Sequence, residues 1–297
     1  MSDPAASGLP VRVSVVIPTF DRPLSLSSCL EAMGRQTYPR NLFEVIVVDD
    51  GGRAPLDALI QSYEGTLRIT LLRQLNRGPA SARNLGASAA SGGLIAFTDD
   101  DCVPAADWLA RLMERHAEAP LSALGGETRN ALDGNPYSTA SQMLVTYLID
   151  YTRAPQRIQF LPSSNLAFPA ETFRSIGGFN ARFPRAAAED RELCDRWQRH
   201  GHPVAHVPEA VVHHAHCLSG ITFLRQHFLY GRGAFHYHRS RSEARQEPMK
   251  LEPVSFYLNL LAYPFKRASL TRGAHLALLL IASQAANAAG FFRERLT

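Results

Sequence analysis

Within the first hundred residues, short runs rich in valine and isoleucine alternate with helical stretches, and most of the runs stop at polar or acidic residues. Val11 to Ile17 predicts a strand, bounded by Pro10 and Pro18. Phe43 to Val48 predicts a second, ending at Asp49-Asp50-Gly51-Gly52. Leu67 to Leu72 predicts a third. Leu94 to Thr98 predicts a fourth, ending at Asp99-Asp100-Asp101. Between them, Leu24 to Gln36 carries Leu26, Leu30 and Met33 at helical spacing, Pro55 to Tyr63 reads as a short helix, and the alanine-rich Pro79 to Ser91 closes at Gly92-Gly93. Near-continuously apolar strands alternating with helices imply a parallel sheet covered on both faces. Ligands of such sheets bind beyond the carboxyl ends of the strands. The polar residues Thr19, Asp21, Asp49, Asp50 and Asp99 to Asp101 all fall there and are expected to share one crevice.

The chain has 297 residues, 45% hydrophobic and 20% charged. That allows one large domain or two small ones and excludes disorder, collagen-like repeats or a coiled coil as the main content. Four cysteines without a C-x-x-C pair argue for a reducing compartment. Met1 to Pro10 shows no basic stretch followed by an apolar one, so no secretory signal is expected. Residues 221–297 hold eleven basic and four acidic side chains, whereas residues 1–220 hold twenty and twenty-three. A balanced body with a basic tail argues against nucleic acid as a partner. It suits a tail lying against an anionic surface, or simply a solvated helical face.

Beyond residue 103 the pattern is less regular. Helices are expected over Asp107 to His116, Tyr137 to Tyr151, Pro169 to Ile176 and Glu189 to His200, and from Ser219 onward. Short strands are expected at Leu121 to Gly126, Asn165 to Phe168, Val204 to Val207 and Val211-Val212.

Three adjacent carboxylates at a strand end repel one another unless a cation or solvent screens them. Hard divalent cations take oxygen ligands, often one or two carboxylates completed by substrate phosphates. Asp99 and Asp101 fit that use, and a solvated turn fits the same residues. Asp50 reads as a turn residue with Gly51 or as an acceptor for a ribose or base edge. Arg83, near the start of the alanine-rich helix behind Arg77-Gly78-Pro79, suits an anion at a helix N-terminus.

Four segments then stand together: Val15-Val16-Ile17-Pro18-Thr19-Phe20-Asp21-Arg22, Val45-Ile46-Val47-Val48-Asp49-Asp50-Gly51, Gly78 with Arg83-Asn84 and Gly86, and Phe97-Thr98-Asp99-Asp100-Asp101. In this order and spacing they resemble glycosyltransferase family 2, over about residues 11–215. The resemblance implies an α/β fold of GT-A type, a Rossmann-like, mostly parallel sheet flanked by helices. The catalytic domain would span 11–217, its donor half about 11–103 and its acceptor half about 104–217. A basic helical extension would follow over 218–297.

The resemblance further implies a nucleotide-diphospho-sugar donor, Mn²⁺ or Mg²⁺, and inverting transfer to a glycan or lipid-linked acceptor in a polysaccharide, glycolipid or cell-envelope precursor. Pro18, Thr19, Asp21, Asp50, Arg83, Asp99 and Asp100 would lie around the donor nucleotide. Asp101 would be the principal metal ligand, with Asp99. Gly177-Gly178-Phe179 and Glu189-Asp190 resemble the acceptor-side segment, in which Asp190 would be the catalytic base beside Glu189. His214, within His213-His214-x-His216-Cys217, would approach the metal or the diphosphate, and a structural cluster is the competing reading.

A sugar nucleotidyltransferase would carry a glycine-rich basic loop where Pro18 to Arg22 stands. An aspartyl phosphatase would carry its D-x-D after the first strand rather than the fourth. A non-catalytic nucleotide- or glycan-binding protein of the same fold is a further alternative. In the tail, Phe256 to Phe265 and Ala274 to Phe292 are apolar. They suit amphipathic helices lying on the inner leaflet, with Lys266, Arg267, Arg272, Arg293 and Arg295 at phosphate level. Helices packed on the catalytic domain, or an oligomer contact, suit them as well. The expected location is cytoplasmic, with a peripheral membrane contact through 220–297.

Overall fold

The computed structural model describes residues 12–152, 160–183, 187–249 and 252–297; Val11, at the head of the first expected strand, lies outside them. In chain order the elements are β1 (Val13–Thr19), α1 (Pro23–Gly34), β2 (Phe43–Asp49), α2 (Asp57–Gln61), β3 (Ile69–Arg73), α3 (Pro79–Ala89), β4 (Leu94–Phe97), β5 (Cys102–Pro104), α4 (Trp108–Glu118) and β6 (Ala123–Asn130). There follow α5 (Pro136–Thr152), β7 (Leu166–Pro169), α6 (Ala170–Ser175), α7 (Glu189–Arg199), β8 (Val204–His214), α8 (Gly220–Arg245), α9 (Val254–Ala262) and α10 (Leu270–Arg295). The chain divides into two compact units. The first runs through Glu127 and takes in Ser163–Gly178 and Ala205–Val212. The second comprises Thr128–Pro162, Phe179–Val204 and His213–Thr297.

The sheet has the order β3-β2-β1-β4-β7-β6-β8-β5. β1 pairs in parallel with β2 and β4, and β2 with β3, whereas β7 runs antiparallel to β4 and β6. The parallel strands β1 and β2 are buried at all seven positions. This is the physical meaning of their uninterrupted valine and isoleucine runs: helices cover both faces, so no position alternates to water. Burying each such side chain contributes about 1.5–3 kcal/mol. On one face, Val13, Val15 and Ile17 of β1 meet Leu26, Leu30 and Met33 of α1, Val45 and Val47 of β2, and Trp108, Leu109 and Leu112 of α4. Trp108 donates its indole N–H to Asn165 Oδ1 at 2.8 Å, and Asn165 Nδ2 donates to the carbonyls of Glu127 and Ala210. One fully buried amide thereby ties β6 to β8.

Some elements differ from the sequence expectation. β3 begins at Ile69 rather than Leu67. β5 is three residues long, too short to carry a period. β8 runs unbroken for eleven residues, through Pro208, where two short strands, Val204 to Val207 and Val211-Val212, are expected from the sequence. Burial of Val207, Ala210 and Val212 keeps that strand extended past the proline.

Behind the amino ends of the strands, Glu44 sits buried with one oxygen accepting from Ser14 Oγ (2.6 Å), the Ser91 amide (2.8 Å) and Ser91 Oγ (2.8 Å). Burial pushes its carboxyl upward, but these three donors and Arg68 outweigh burial and hold it below the usual glutamate value. A carboxylate depressed in the folded state stabilises above its unfolded pKa, and that stability is lost as pH falls through the folded value. Glu44→Gln is expected to cost about 2 kcal/mol at pH 7, because a charge-assisted acceptor of three donors is lost. The deficit should shrink toward pH 3. Urea melts at both pH values check this, and an equal deficit at each would overturn it.

In the second unit, Leu144 and Tyr147 of α5 pack with Phe256, Leu260 and Tyr263 and with Leu280 of α10. α8 and α10 cross at backbone distance. A Cβ on Gly231 would lie 1.9 Å from the Asn287 carbonyl oxygen, and one on Gly290 1.9 Å from that of Phe228. Only hydrogen at both positions permits this crossing. Asp195 of α7 accepts from Arg245 (2.6 Å) and Arg199 (3.0 Å), tying α7 to α8.

Candidate active site

The parallel register puts the ends of β1 and β2 level. Thr19 is opposite Asp49, the Asp50 amide donates to the Thr19 carbonyl, and Val16 is opposite Phe97, so β4 ends beside β1. Thr19 Oγ1 donates to Asp100 Oδ2 at 2.7 Å. Arg22 contacts Asp101 at 2.7 Å and Asp100 at 3.0 Å. Arg83, only 3% exposed, pairs with Asp99 at 2.7 Å. Thr19, Arg22, Arg83 and the three aspartates thus form one cluster at the carboxyl end of the sheet, where the sequence predicted a crevice.

Three carboxylates there face two guanidinium groups, so the fully ionised cluster keeps an excess negative charge. Asp100 is 2% exposed, and its burial is the main reason its carboxyl is raised to about 6; Arg22 and the Thr19 hydroxyl pull the other way, and the neighbouring aspartates add to the rise. Asp100 therefore points inward as a brace for Thr19 and Arg22. Asp99 and Asp101 supply the remaining hard oxygen donors at the rim. Carboxylate oxygens with a charge excess fit a small divalent cation.

Asp50 and Asp21 are placed differently. Asp50 is buried and accepts from Gln74 Nε2 (2.6 Å) and from the amides of Arg77 and Gly78 (both 2.9 Å). It thereby holds the turn leading into α3, where Gly78 adopts φ +86° ahead of Pro79 at the first helical position. Asp21, itself at φ +53°, accepts from the amides of Arg53 and Ala54. Chiefly the Arg53 amide, then that of Ala54, holds its carboxyl below the usual aspartate value. Each aspartate is a strut that shapes a loop bordering the strand ends. Arg22 and Gln74 were not singled out from the sequence. Arg22 lies within the first motif, whereas Gln74 carried no signal.

Glu189, Asp190 and His214 belong to the second unit. Ala188, the residue before α7, is left-handed at φ +66°, and a Cβ on Gly233 of α8 would lie 2.4 Å from the Ala187 carbonyl oxygen. The backbone of α8 thus backs a strained turn that aims the first residues of α7. Glu189 is buried and Asp190 half-buried, with its Oδ1 accepting from the Arg191 amide at 2.8 Å. Arg191 stacks over the Tyr237 ring at 4.7 Å and faces Phe160 at 5.7 Å. The first turn carries Glu189, Asp190 and Glu192, the sign favoured at a helix N-terminus. His214 closes β8 with its ring 5.2 Å from that of His216. Both line a small cavity with Ser138, Gln226 and Tyr230.

The chain is 30% identical over 229 residues to validoxylamine A glucosyltransferase of Streptomyces hygroscopicus subsp. jinggangensis, covering 67% of this chain and 54% of that protein. The chain thus spans about half the length of the curated relatives it matches first. Among solved structures, mannosyltransferase PcManGT from Pyrobaculum calidifontis, in complex with GDP-Man and Mn²⁺, superposes with a TM-score of 0.64 at 19% identity, over 94% of this chain and 89% of that one. S. aureus TarS 1-349, in complex with UDP-GlcNAc, does so with a TM-score of 0.59 at 16% identity, over 95% and 89%. At such identities the two structures establish the shared GT-A fold. Residues 14–176, which carry the Thr19–Asp101 cluster and the Asp50 strut, match the family described as Glycosyl transferase family 2, and the chain belongs to that family.

Proposed function

We propose that the chain is a metal-dependent, inverting glycosyltransferase. It would move a sugar from a nucleotide-diphospho-sugar to a hydroxyl of a polysaccharide, glycolipid or cell-envelope precursor, within a catalytic domain spanning 11–217. The observation that carries this reading is the cluster of Asp99, Asp100 and Asp101 with Thr19, Arg22 and Arg83, at the strand ends where α/β folds bind ligands. The relatives' own substrates support a nucleotide-sugar donor and divide on its base, one being bound with GDP-Man and another with UDP-GlcNAc.

In this mechanism Asp190 takes the proton of the acceptor hydroxyl. The oxygen bonds to the anomeric carbon from the face opposite the diphosphate. The bond from that carbon to the diphosphate oxygen breaks, and its electron pair leaves with the nucleotide. Asp101 and Asp99 would hold Mn²⁺ or Mg²⁺, which when bound supplies Lewis-acid stabilisation of the diphosphate charge. Asp50 and Asp21 keep the two loops beside the strand ends in the shape that receives the nucleoside. Glu189 anchors the start of α7, which sets the position of Asp190.

Calorimetric titration with UDP, GDP and dTDP, in Mn²⁺ and then in EDTA, tests the donor site. One of the three is expected to bind in Mn²⁺ and to lose roughly tenfold or more of its affinity in EDTA. A folded protein that binds none of them defeats the proposal. Neither the nucleotidyltransferase nor the phosphatase alternative has an observation in its favour. A non-catalytic binder would pass the titration, and is separated by the transfer assay described below.

A further inference from the structure

The two carboxyl-terminal helices are apolar on the side that faces water. α9 buries Phe256 and Leu260 against α5, as an amphipathic helix should. Yet its outward positions Val254, Tyr257, Leu258 and Leu261, continued by Phe265, follow the same i, i+3, i+4, i+7 pattern and are exposed, apart from the half-buried Leu261. In α10 the buried stripe is Gly273, Leu276, Leu280, Ser283 and Gly290. Opposite it, Leu270 (77% exposed), Leu278 (65%), Ile281, Phe292 and Leu296 (86%) fall within an arc of about 80° at 100° per residue. Ala274, Ala285 and Ala288 fill that arc, and no charged residue interrupts it until Arg295 at its border. A surface helix of a water-soluble body normally reserves that side for polar residues.

Charge identifies the occupant. Lys266 precedes α10, and Arg293 and Arg295 end it. All three are exposed and make no ion pair among the described residues. The only acid of α10, Glu294, is taken by Arg232 and His236. A second copy docked antiparallel on this stripe would set Lys266 and Arg272 beside the partner's Arg293 and Arg295. A parallel copy would set each cation beside its own duplicate. Either arrangement gathers like charges with no acid to offset them, whereas an anionic lipid surface neutralises them all. α10 is long and apolar enough to cross a bilayer. Its inner face, however, is held at backbone distance on α8 through Gly231 and Gly290 and by the contact of Ser283 Oγ with the buried His227. A helix seated in this way lies along a surface.

We infer that the outward faces of α9 and α10 form a docking surface for an anionic phospholipid bilayer, with the apolar stripe entering the acyl boundary and Lys266, Arg293 and Arg295 at phosphate level. The inference does not depend on the proposed catalysis.

Flotation of the full chain with vesicles, at low and high salt, is the test. Wild type is expected to float with phosphatidylglycerol-containing vesicles, roughly tenfold or more in preference to pure phosphatidylcholine, and to be released by salt. Lys266→Gln/Arg293→Gln/Arg295→Gln should weaken binding roughly fivefold per cation. Leu278→Glu/Ile281→Glu, at exposed positions, should abolish it. Circular dichroism and a thermal melt of each variant show, without any nucleotide, that the protein is folded, so failure of this surface and failure of the donor reading are distinguishable. Three results overturn the inference. One is a monodisperse wild type that stays with the buffer at low salt. The second is equal affinity for neutral vesicles. The third is a dimer that Leu278→Glu/Ile281→Glu dissociates, which gives the face to a second copy.

Discussion

Asp190→Asn is expected to lower sugar transfer by roughly 10²–10⁴-fold while leaving donor affinity unchanged. An acceptor hydroxyl is a poor nucleophile, and its proton must leave as the new bond forms. An amide of the same shape cannot take that proton. The substitution is nearly isosteric, and the Arg191 amide still finds an oxygen acceptor, so the first turn of α7 should survive. Calorimetry with whichever of UDP, GDP and dTDP binds the wild type, and a transfer assay on the same preparation, provide the two readouts. If donor binding and transfer fall together, Asp190 supports the site rather than serving as base. If neither moves, the proton goes elsewhere, and a protein that binds nucleotide without transfer in either form is a binding module.

Asp101→Ala is expected to abolish the Mn²⁺-dependent part of nucleotide binding, a loss of roughly 100-fold. Removing this carboxylate cancels the excess negative charge of the cluster. Arg22 keeps Asp100 as a partner at 3.0 Å, so the end of β4 should stay folded. A companion variant, Arg22→Gln, removes positive charge from the same spot. It should leave metal affinity equal or higher while disturbing the Thr19–Asp100 contact. Direct Mn²⁺ titration distinguishes the two. Metal binding by Asp101→Ala equal to wild type removes Asp101 from the ligand set.

Much of the parallel part of the sheet was legible because its information is local. Each parallel strand is buried on both faces, so burial is written as an unbroken apolar run. Each run ends where the chain leaves the sheet, so the polar residues that matter come directly after it. The position of Thr19, Asp50 and Asp99 to Asp101 at the strand ends was read this way. Their partners were not. Arg22 reaches Asp101 across 79 positions of sequence and Gln74 reaches Asp50 across 24, and nothing in a linear pattern weights one arginine or glutamine above its neighbours. The inward turn of Asp100 has the same origin: three identical side chains in a row cannot announce which is buried.

The tail shows the opposite balance. Its helices, its apolar stretches and its basic excess are plain in the sequence. Which apolar side faces inward is decided only when Gly231 and Gly290 bring α8 and α10 to backbone contact. That crossing uses one stripe of α10 and leaves the other to water.

By itself, then, the sequence determined the strand–helix alternation, the family, and the placing of acidic residues at strand ends, because these depend on periodicity and on short contiguous motifs. The tertiary structure alone decided which carboxylates brace loops and which pair with Arg22 and Arg83 at the strand ends, and which face of the terminal helices stays bare. Those outcomes depend on side chains far apart in the chain competing for the same partners and the same buried space.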